Sequence, residues 1–407
     1  MSDFQVTQIR KDFPVLQQEI NGKPLVYFDN GATAQKPEVV IRCMDELYRT
    51  QYAPIHRSVN WLSDQMTTRY ENARETVRKH LNAYSTNEII FTNGTTSSIN
   101  LLAASFGRVF IRPGDEIILS VMEHHSNIVP WQMVRDQYGA VLKIIPISDE
   151  GELDMEAYEG LLNEKTRIVA VSHVSNTLGT VNPVKEIVRL AHEADVPVLL
   201  DGAQAIPHQR ADVTDLDCDF YAFSGHKVYG PTGIGVLYGK EKWLEKLPPW
   251  QGGGEMIDRV TFEKTTFNEL PFKFEAGTMP FTEAVGLATA LDYVNGLGLN
   301  RIIAYEEELV DYGMRALSAL EQVKIFGRAT QKVPVFSFLV GDIHQYDTGM
   351  VLDKLGIAVR TGSHCTMPLM DRLGITGTVR ASLSFYNTTD EIDVLVTGLK
   401  QVIQMFS

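Results

Sequence analysis

Over the first two thirds of the chain, short apolar runs alternate with stretches whose apolar positions recur every three or four residues. The runs at 25–28, 89–92, 116–119, 141–147, 168–172, 198–200 and 221–223 are β-branched, strand-length and bounded by turn-forming residues. Helical periodicity lies between several of them, at 39–49, 66–81 and 184–194, the last entered through Asn182-Pro183. Such alternation predicts a mainly parallel sheet with helices on both faces. A sheet of that kind puts ligands beyond the carboxyl ends of its strands, so polar residues just after a strand carry the most interest.

From about Phe281 the texture changes: helices are expected at 282–296, 300–320 and 390–405, with short strands at 335–340 and 357–359. The expectation is an α/β protein with a large domain at 22–285 built on a mainly parallel seven-stranded sheet. A smaller C-terminal α/β domain at 286–407 is expected to be joined by the N-terminal segment 1–21. The length of 407 residues agrees, since one core usually stops growing at ~250–300 residues.

Composition narrows the classes. No basic and then apolar leader opens the chain, and no apolar stretch approaches the ~20 residues that span a bilayer, so a soluble cytoplasmic protein without a membrane partner is expected. A net charge of −14 argues against nucleic acid as a partner. Three cysteines, Cys43, Cys218 and Cys365, are too few and scattered for a disulfide framework or zinc site, and no metal is expected. Cys43 and Cys218 read as small core residues.

The strand ends hold the chemistry. Run 198–200 leads into Asp201-Gly202-Ala203-Gln204, and run 221–223 into Ser224-Gly225-His226-Lys227 with a glycine-rich stretch beyond. Taken singly, Asp201 is a helix cap or ion-pair partner and Lys227 a surface lysine. Together, 26 residues apart on successive strands, they match the needs of pyridoxal 5′-phosphate (PLP): an amine for its Schiff base and a carboxylate for its pyridine nitrogen. Burial beside a cation would lower the lysine's pKa and free its amine. Run 89–92 leaves through Asn93-Gly94 into Thr95-Thr96 and a helix, where N–H groups and hydroxyls form an anion site or Thr95 or Thr96 simply caps the helix. Ser224 and His226 add donors. In Glu123-His124-His125 the adjacent side chains diverge and no ligand cluster surrounds them, so a ring stacked on the cofactor is a better reading than a metal pair.

Around these residues the chain resembles the aminotransferase class V, fold-type I PLP-dependent transferases, and within them the SufS/CsdA-type cysteine desulfurases. The resemblance is carried in order by Asp29-Asn30-Gly31-Ala32-Thr33-Ala34-Gln35-Lys36-Pro37, Asn93-Gly94-Thr95-Thr96, Glu123-His124-His125-Ser126-Asn127 and Ser175-Asn176. It continues through Asp201-Gly202-Ala203-Gln204, Ser224-Gly225-His226-Lys227, Gly252-Gly253-Gly254, Glu275-Ala276-Gly277-Thr278 and Arg360-Thr361-Gly362-Ser363-His364-Cys365. It implies that Lys227 holds PLP, Asp201 meets the pyridine nitrogen, Gln204 the phenolic oxygen, and His124 stacks on the ring. Thr95, Thr96, Ser224 and His226 would bind the phosphate, and Thr278 would reach the phosphate of a neighbouring subunit in a homodimer. Asn176, Arg380, Arg360, His56 and Arg57 would hold the substrate. Two departures, Ser363 and the Met279-Pro280-Phe281 stretch, remove no role-bearing residue.

The activity so implied converts L-cysteine to L-alanine, leaving a persulfide on Cys365. A SufE- or SufU-like acceptor would pass the sulfur on to iron–sulfur cluster assembly. A selenocysteine lyase acting on L-selenocysteine is the near alternative. An aminotransferase or kynureninase-like lyase, and a noncatalytic PLP-fold scaffold of a sulfur-transfer complex, stand further off.

Overall fold

The computed structural model describes residues 4–406. Its centre is a seven-stranded sheet of Ile89–Thr92 (β1), Glu116–Ser120 (β2), Val141–Ile145 (β3), Thr166–Ser172 (β4), Val198–Asp201 (β5), Phe220–Ser224 (β6) and Gly235–Gly239 (β7). They lie in the order β1-β7-β6-β5-β4-β2-β3; every pair is parallel except the two made by β7. The side-chain period of two divides the strands between two apolar layers. Ile118, Val169, Val171, Leu200 and Phe223 enter one, and Ile117, Leu119, Ile168, Ala170, Leu199 and Ala222 the other. Burial on both faces is why these strands read as continuous apolar runs.

Seven strands were expected, but their membership differs. Residues 25–28 lie outside this sheet: Val26–Tyr27 pairs in parallel with Ile357–Ala358. The place is taken by β7, bounded by Gly235 and Gly239, whose sequence reads as the tail of a glycine-rich turn. Gly235 is required by packing, since a Cβ there would lie 2.4 Å from Gly94 Cα.

The C-terminal part is an antiparallel sheet of Val323–Phe326 (β8), Val335–Val340 (β9), Arg360–Gly362 (β10) and Thr378–Ser382 (β11), ordered β8-β9-β11-β10. Helices Leu299–Ser318, Gln345–Lys354 and Thr389–Phe406 pack on it and on one another. The N-terminal segment is tied to this part. Phe4 stacks on Tyr305 at 5.0 Å, and Arg10 bonds the Tyr386 carbonyl and pairs with Glu391 at 2.9 Å.

The helix Phe281–Leu297 runs unbroken through the expected 285/286 boundary and packs on helices Glu38–Glu46 and Trp61–Leu81. Gly298, at φ +88°, then separates it from the next helix. We therefore propose that the larger part extends to Leu297. Among the described residues, no helix is long and apolar enough to cross a membrane.

Candidate active site

The carboxyl ends of β4, β5 and β6, the start of helix Thr95–Phe110 (α1), and residues from β10 and β11 enclose a cavity of about 230 Å³. It brings together Thr95, Thr96, His124, Asn176, Asp201, Gln204, Ser224, His226, Lys227, Arg360 and Arg380. Sequence reasoning had named all of these. Gly31, Ser126 and His364, quoted there only as parts of motifs, also line it, and Ser172, which carries no local signal of its own, had not been named.

Lys227 sits half-buried in the turn just after β6. Burial pulls its pKa down to about 8, against the opposing pull of Asp201. Asp201 closes β5 and accepts the Ala203 N–H at 2.9 Å; burial raises its pKa, with Lys227 partly offsetting the rise. Glycine must follow, because a Cβ on Gly202 would lie 2.1 Å from the Tyr221 ring. Behind them, the buried Glu123 carboxyl is bonded to Ser120, Asn127 and the Ser172 N–H, and its pKa is pushed up to about 7 by desolvation. It was not foreseen as part of the site.

At the α1 N-terminus the Thr95 N–H donates to Ser224 Oγ at 2.8 Å, and the Thr96 and Ser126 hydroxyls meet at 2.7 Å. With His226 beside them, hydroxyls and helix N–H groups converge on one end of the cavity. His124 accepts the Ser126 N–H through Nδ1. Burial and the cations Lys227, Arg360 and Arg380 hold its pKa near 3, so the ring is neutral.

The opposite end is cationic. Arg360 and Arg380 are direct cross-strand partners on β10 and β11. Like charges so placed repel, an arrangement that an anion between them relieves. Arg380, 1% exposed, donates to the Asn176 carbonyl at 2.9 Å and to Asp29 Oδ1 at 3.1 Å, while its Nε is buried without a partner.

Cys365 is half-buried and directly follows His364, which lines the cavity, but is not itself among the lining residues. The backbone here is held by three hydrogen bonds. The His125 N–H donates to the Cys365 carbonyl at 2.8 Å, Asn176 Nδ2 to the His364 carbonyl at 2.9 Å, and the Met367 N–H to His125 Nε2 at 3.0 Å. His364 and Cys365 both have positive φ, +52° and +60°, a costly backbone for side-chain-bearing residues that these bonds maintain. Cys218 is fully buried, and Cys43 accepts a bond from Thr289 away from the cavity.

Three further expected residues, besides Cys365, are absent from the cavity lining of this chain. His56 pairs with Glu71 at 3.0 Å, Arg57 with Glu255 at 3.0 Å, and Thr278 is exposed next to Gly277, whose N–H donates to the Gly254 carbonyl. They cluster on one surface. No group of three or more His, Cys, Asp or Glu side chains suited to a metal occurs among the described residues.

The cavity fits PLP: a half-buried amine, a buried carboxylate, a hydroxyl-lined helix N-terminus and a buried Gln204 amide with one end unpartnered. This sheet order with a lysine after β6 and an aspartate ending β5 defines a fold-type I PLP enzyme. The aminotransferase class-V family profile matches residues 26–395, and the chain belongs to that family. A cysteine desulfurase of Escherichia coli O127:H6 is 50% identical over 400 residues, covering 98% of each chain. In structure, the apo cysteine desulfurase of Thermococcus onnurineus NA1 superposes with a TM-score of 0.93 at 37% identity, over 99% of this chain and 100% of that one. The E. coli cysteine desulfurase CsdA (S-sulfonic acid) gives 0.90 at 39%, over 99% of each. The enzyme class these relatives share with the chain is cysteine desulfurase.

Proposed function

We propose that the enzyme moves the sulfur of L-cysteine onto Cys365 as a persulfide, releases L-alanine, and hands the sulfur to a SufE- or SufU-like acceptor serving iron–sulfur cluster assembly. The observation carrying this reading is the pinned Cys365 loop at the rim of a cavity that holds Lys227 and Asp201 at one side and two arginines at another.

PLP, when bound, supplies an electron sink for negative charge on the substrate carbon. Lys227 would be its covalent anchor, and its amine, about half neutral at pH 8, would take and return the Cα proton. Asp201 would keep the pyridine nitrogen protonated, Gln204 would meet the phenolic oxygen, and neutral His124 would stack on the ring. Thr95, Thr96, Ser224 and His226 would hold the phosphate. Arg380, with Arg360, holds the substrate carboxylate, for which a planar guanidinium is suited. Asn176 fixes both Arg380 and the loop. The Cβ–S bond breaks with its electron pair on carbon, the Cys365 thiolate takes the sulfur, and a proton returns to carbon to complete alanine.

Thr278, His56 and Arg57 are assigned to the cavity of a second copy in a homodimer. The exposed rings of Trp61 (71%), Tyr52 (57%) and Tyr48 (54%) lie on the segments flanking His56 and Arg57 and offer apolar area for that contact.

Mass spectrometry after incubation with cysteine should show one added sulfur on Cys365. Cys365→Ala should abolish cysteine turnover; turnover at the unsubstituted rate would end the persulfide reading. Selenocysteine cleavage surviving in the same variant would assign the lyase activity as well.

A further inference from the structure

Gln204 faces the cofactor cavity, but its amide also reaches away from it. Gln204 Nε2 lies 3.2 Å from His208 Nε2, and His208 Nδ1 lies 2.8 Å from Glu306 Oε2 on helix Leu299–Ser318. All three side chains are buried. His208 and Glu306 border a second cavity of about 380 Å³ that also touches Glu307, Asp311 and Lys332. One hydrogen-bonded line therefore joins the two cavities. Gln204 Oε1, at its first end, has no partner.

The proton count of the His208–Glu306 pair decides how the amide is turned. With one ring proton on His208 and Glu306 ionised, Nδ1–H donates to the carboxylate and Nε2 accepts from the Gln204 NH₂. The amide carbonyl then faces the cofactor cavity. One more proton on the pair gives Nε2 a hydrogen, and Gln204 must turn its carbonyl toward it, presenting NH₂ to the cavity. A phenolate oxygen is an acceptor and would meet a carbonyl lone pair to lone pair. An imidazolium buried alone would be costly, whereas a carboxylate beside it offsets that cost. The groups around the pair are Tyr229 and Tyr305, which interact with Glu306, and Glu307, Asp311 and Lys332 across the second cavity. The two carboxylates favour keeping the extra proton and Lys332 opposes it.

We propose that His208 and Glu306 are positioning residues that, holding one proton more than the neutral-histidine, ionised-glutamate pair, turn the Gln204 NH₂ onto the phenolic oxygen of PLP. The inference rests on the placing of Gln204 against that oxygen. The phenolate also shares the proton of the Lys227 Schiff base; a donor from Gln204 weakens that hold. Losing the donor therefore raises the pH at which the cofactor's visible absorption band converts.

The test titrates that band in purified holoenzyme. His208→Leu should raise the midpoint by about one pH unit, the tenfold effect of one charge-assisted hydrogen bond. Glu306→Gln, whose NH₂ donates to His208 Nδ1 as a protonated carboxyl would, leaves the ring hydrogen on Nε2 and should stay within about half a unit. His208→Gln carries an amide hydrogen in place of Nε2–H and should stay within about half a unit of the unsubstituted enzyme. Gln204→Leu is the control. If it raises the midpoint while His208→Leu does not, or if Glu306→Gln raises it as much as His208→Leu, the positioning role is wrong. If Gln204→Leu leaves the midpoint unmoved, Gln204 does not meet the phenolic oxygen, and that assignment fails first. In His208→Leu, a lower melting temperature with an unchanged midpoint marks a purely structural role and also overturns the proposal. Should His208→Leu not retain cofactor, the larger His208→Phe, which likewise carries no ring N–H, decides.

Discussion

Arg380→Lys tests the substrate end of the cavity at the level of single hydrogen bonds. The guanidinium has five N–H donors. One from Nη1 goes to the Asn176 carbonyl and one from Nη2 to Asp29, leaving three, of which the Nε hydrogen is buried with no partner. A substrate carboxylate uses two of these, side by side. A lysine ammonium has three donors in all and must still serve Asn176 and Asp29, so one remains for substrate. The variant thus keeps the charge but loses one charge-assisted bond, worth about 1.5–3 kcal/mol. The specificity constant for cysteine should fall on the order of ten- to a hundredfold. Cofactor binding, at the other end of the cavity, should be preserved. The assay is steady-state alanine formation, with the visible PLP band recorded on the same sample. A change below about threefold with PLP fully bound would show that the substrate carboxylate is held elsewhere.

Reconstitution of cofactor-free enzyme with PLP should speed up with pH to a midpoint near 8, because the neutral Lys227 amine is the reacting form and protonation below that value removes it. A midpoint in the ordinary lysine range would mean that the amine is not desolvated as described. Asp201→Asn, which deletes the charge opposing this shift, should move the midpoint lower still. In the larger part, Arg74 is fully buried and forks onto Glu275 at 2.7 and 2.9 Å. Arg74→Met strands that carboxylate and should cost about 3–5 kcal/mol of stability by denaturant unfolding. A loss under about 1 kcal/mol would mean that the Tyr70 hydroxyl and Phe91 N–H, which Glu275 also accepts, satisfy it unaided.

Much of the site was legible because a parallel sheet makes position along the chain informative. A residue that ends a buried strand stands at the ligand edge, so Asp201, Lys227 and the Thr95-Thr96 turn could be located from periodicity alone. Strands rich in polar residues, or bounded by glycine, gave no such sign. Thr378–Ser382 is entirely buried yet carries Thr, Arg and Ser, and β7 hides in a glycine-rich stretch. Without those strands, neither the facing of Arg360 with Arg380 nor the approach of Asp29 to Arg380 can be drawn. The helix Phe281–Leu297 was found, but not its partners, and the expected domain boundary therefore fell inside it.

The amino-acid sequence by itself determined the alternation of strand and helix, the amine and carboxylate at two strand ends, the anion-binding turn, and, through resemblance, the sulfur-accepting role expected of Cys365. These are local properties, written in the period of apolar residues and in the residues that interrupt it. Only the tertiary structure decided what each charged group faces. It set Asp29 against Arg380 across 351 positions of chain, Asn176 against the His364 carbonyl across 188, and His208 against Glu306 across 98. The physical reason is burial: hydrogen-bond partners and pKa values follow from which groups are enclosed together and shielded from water, and that depends on how distant elements pack.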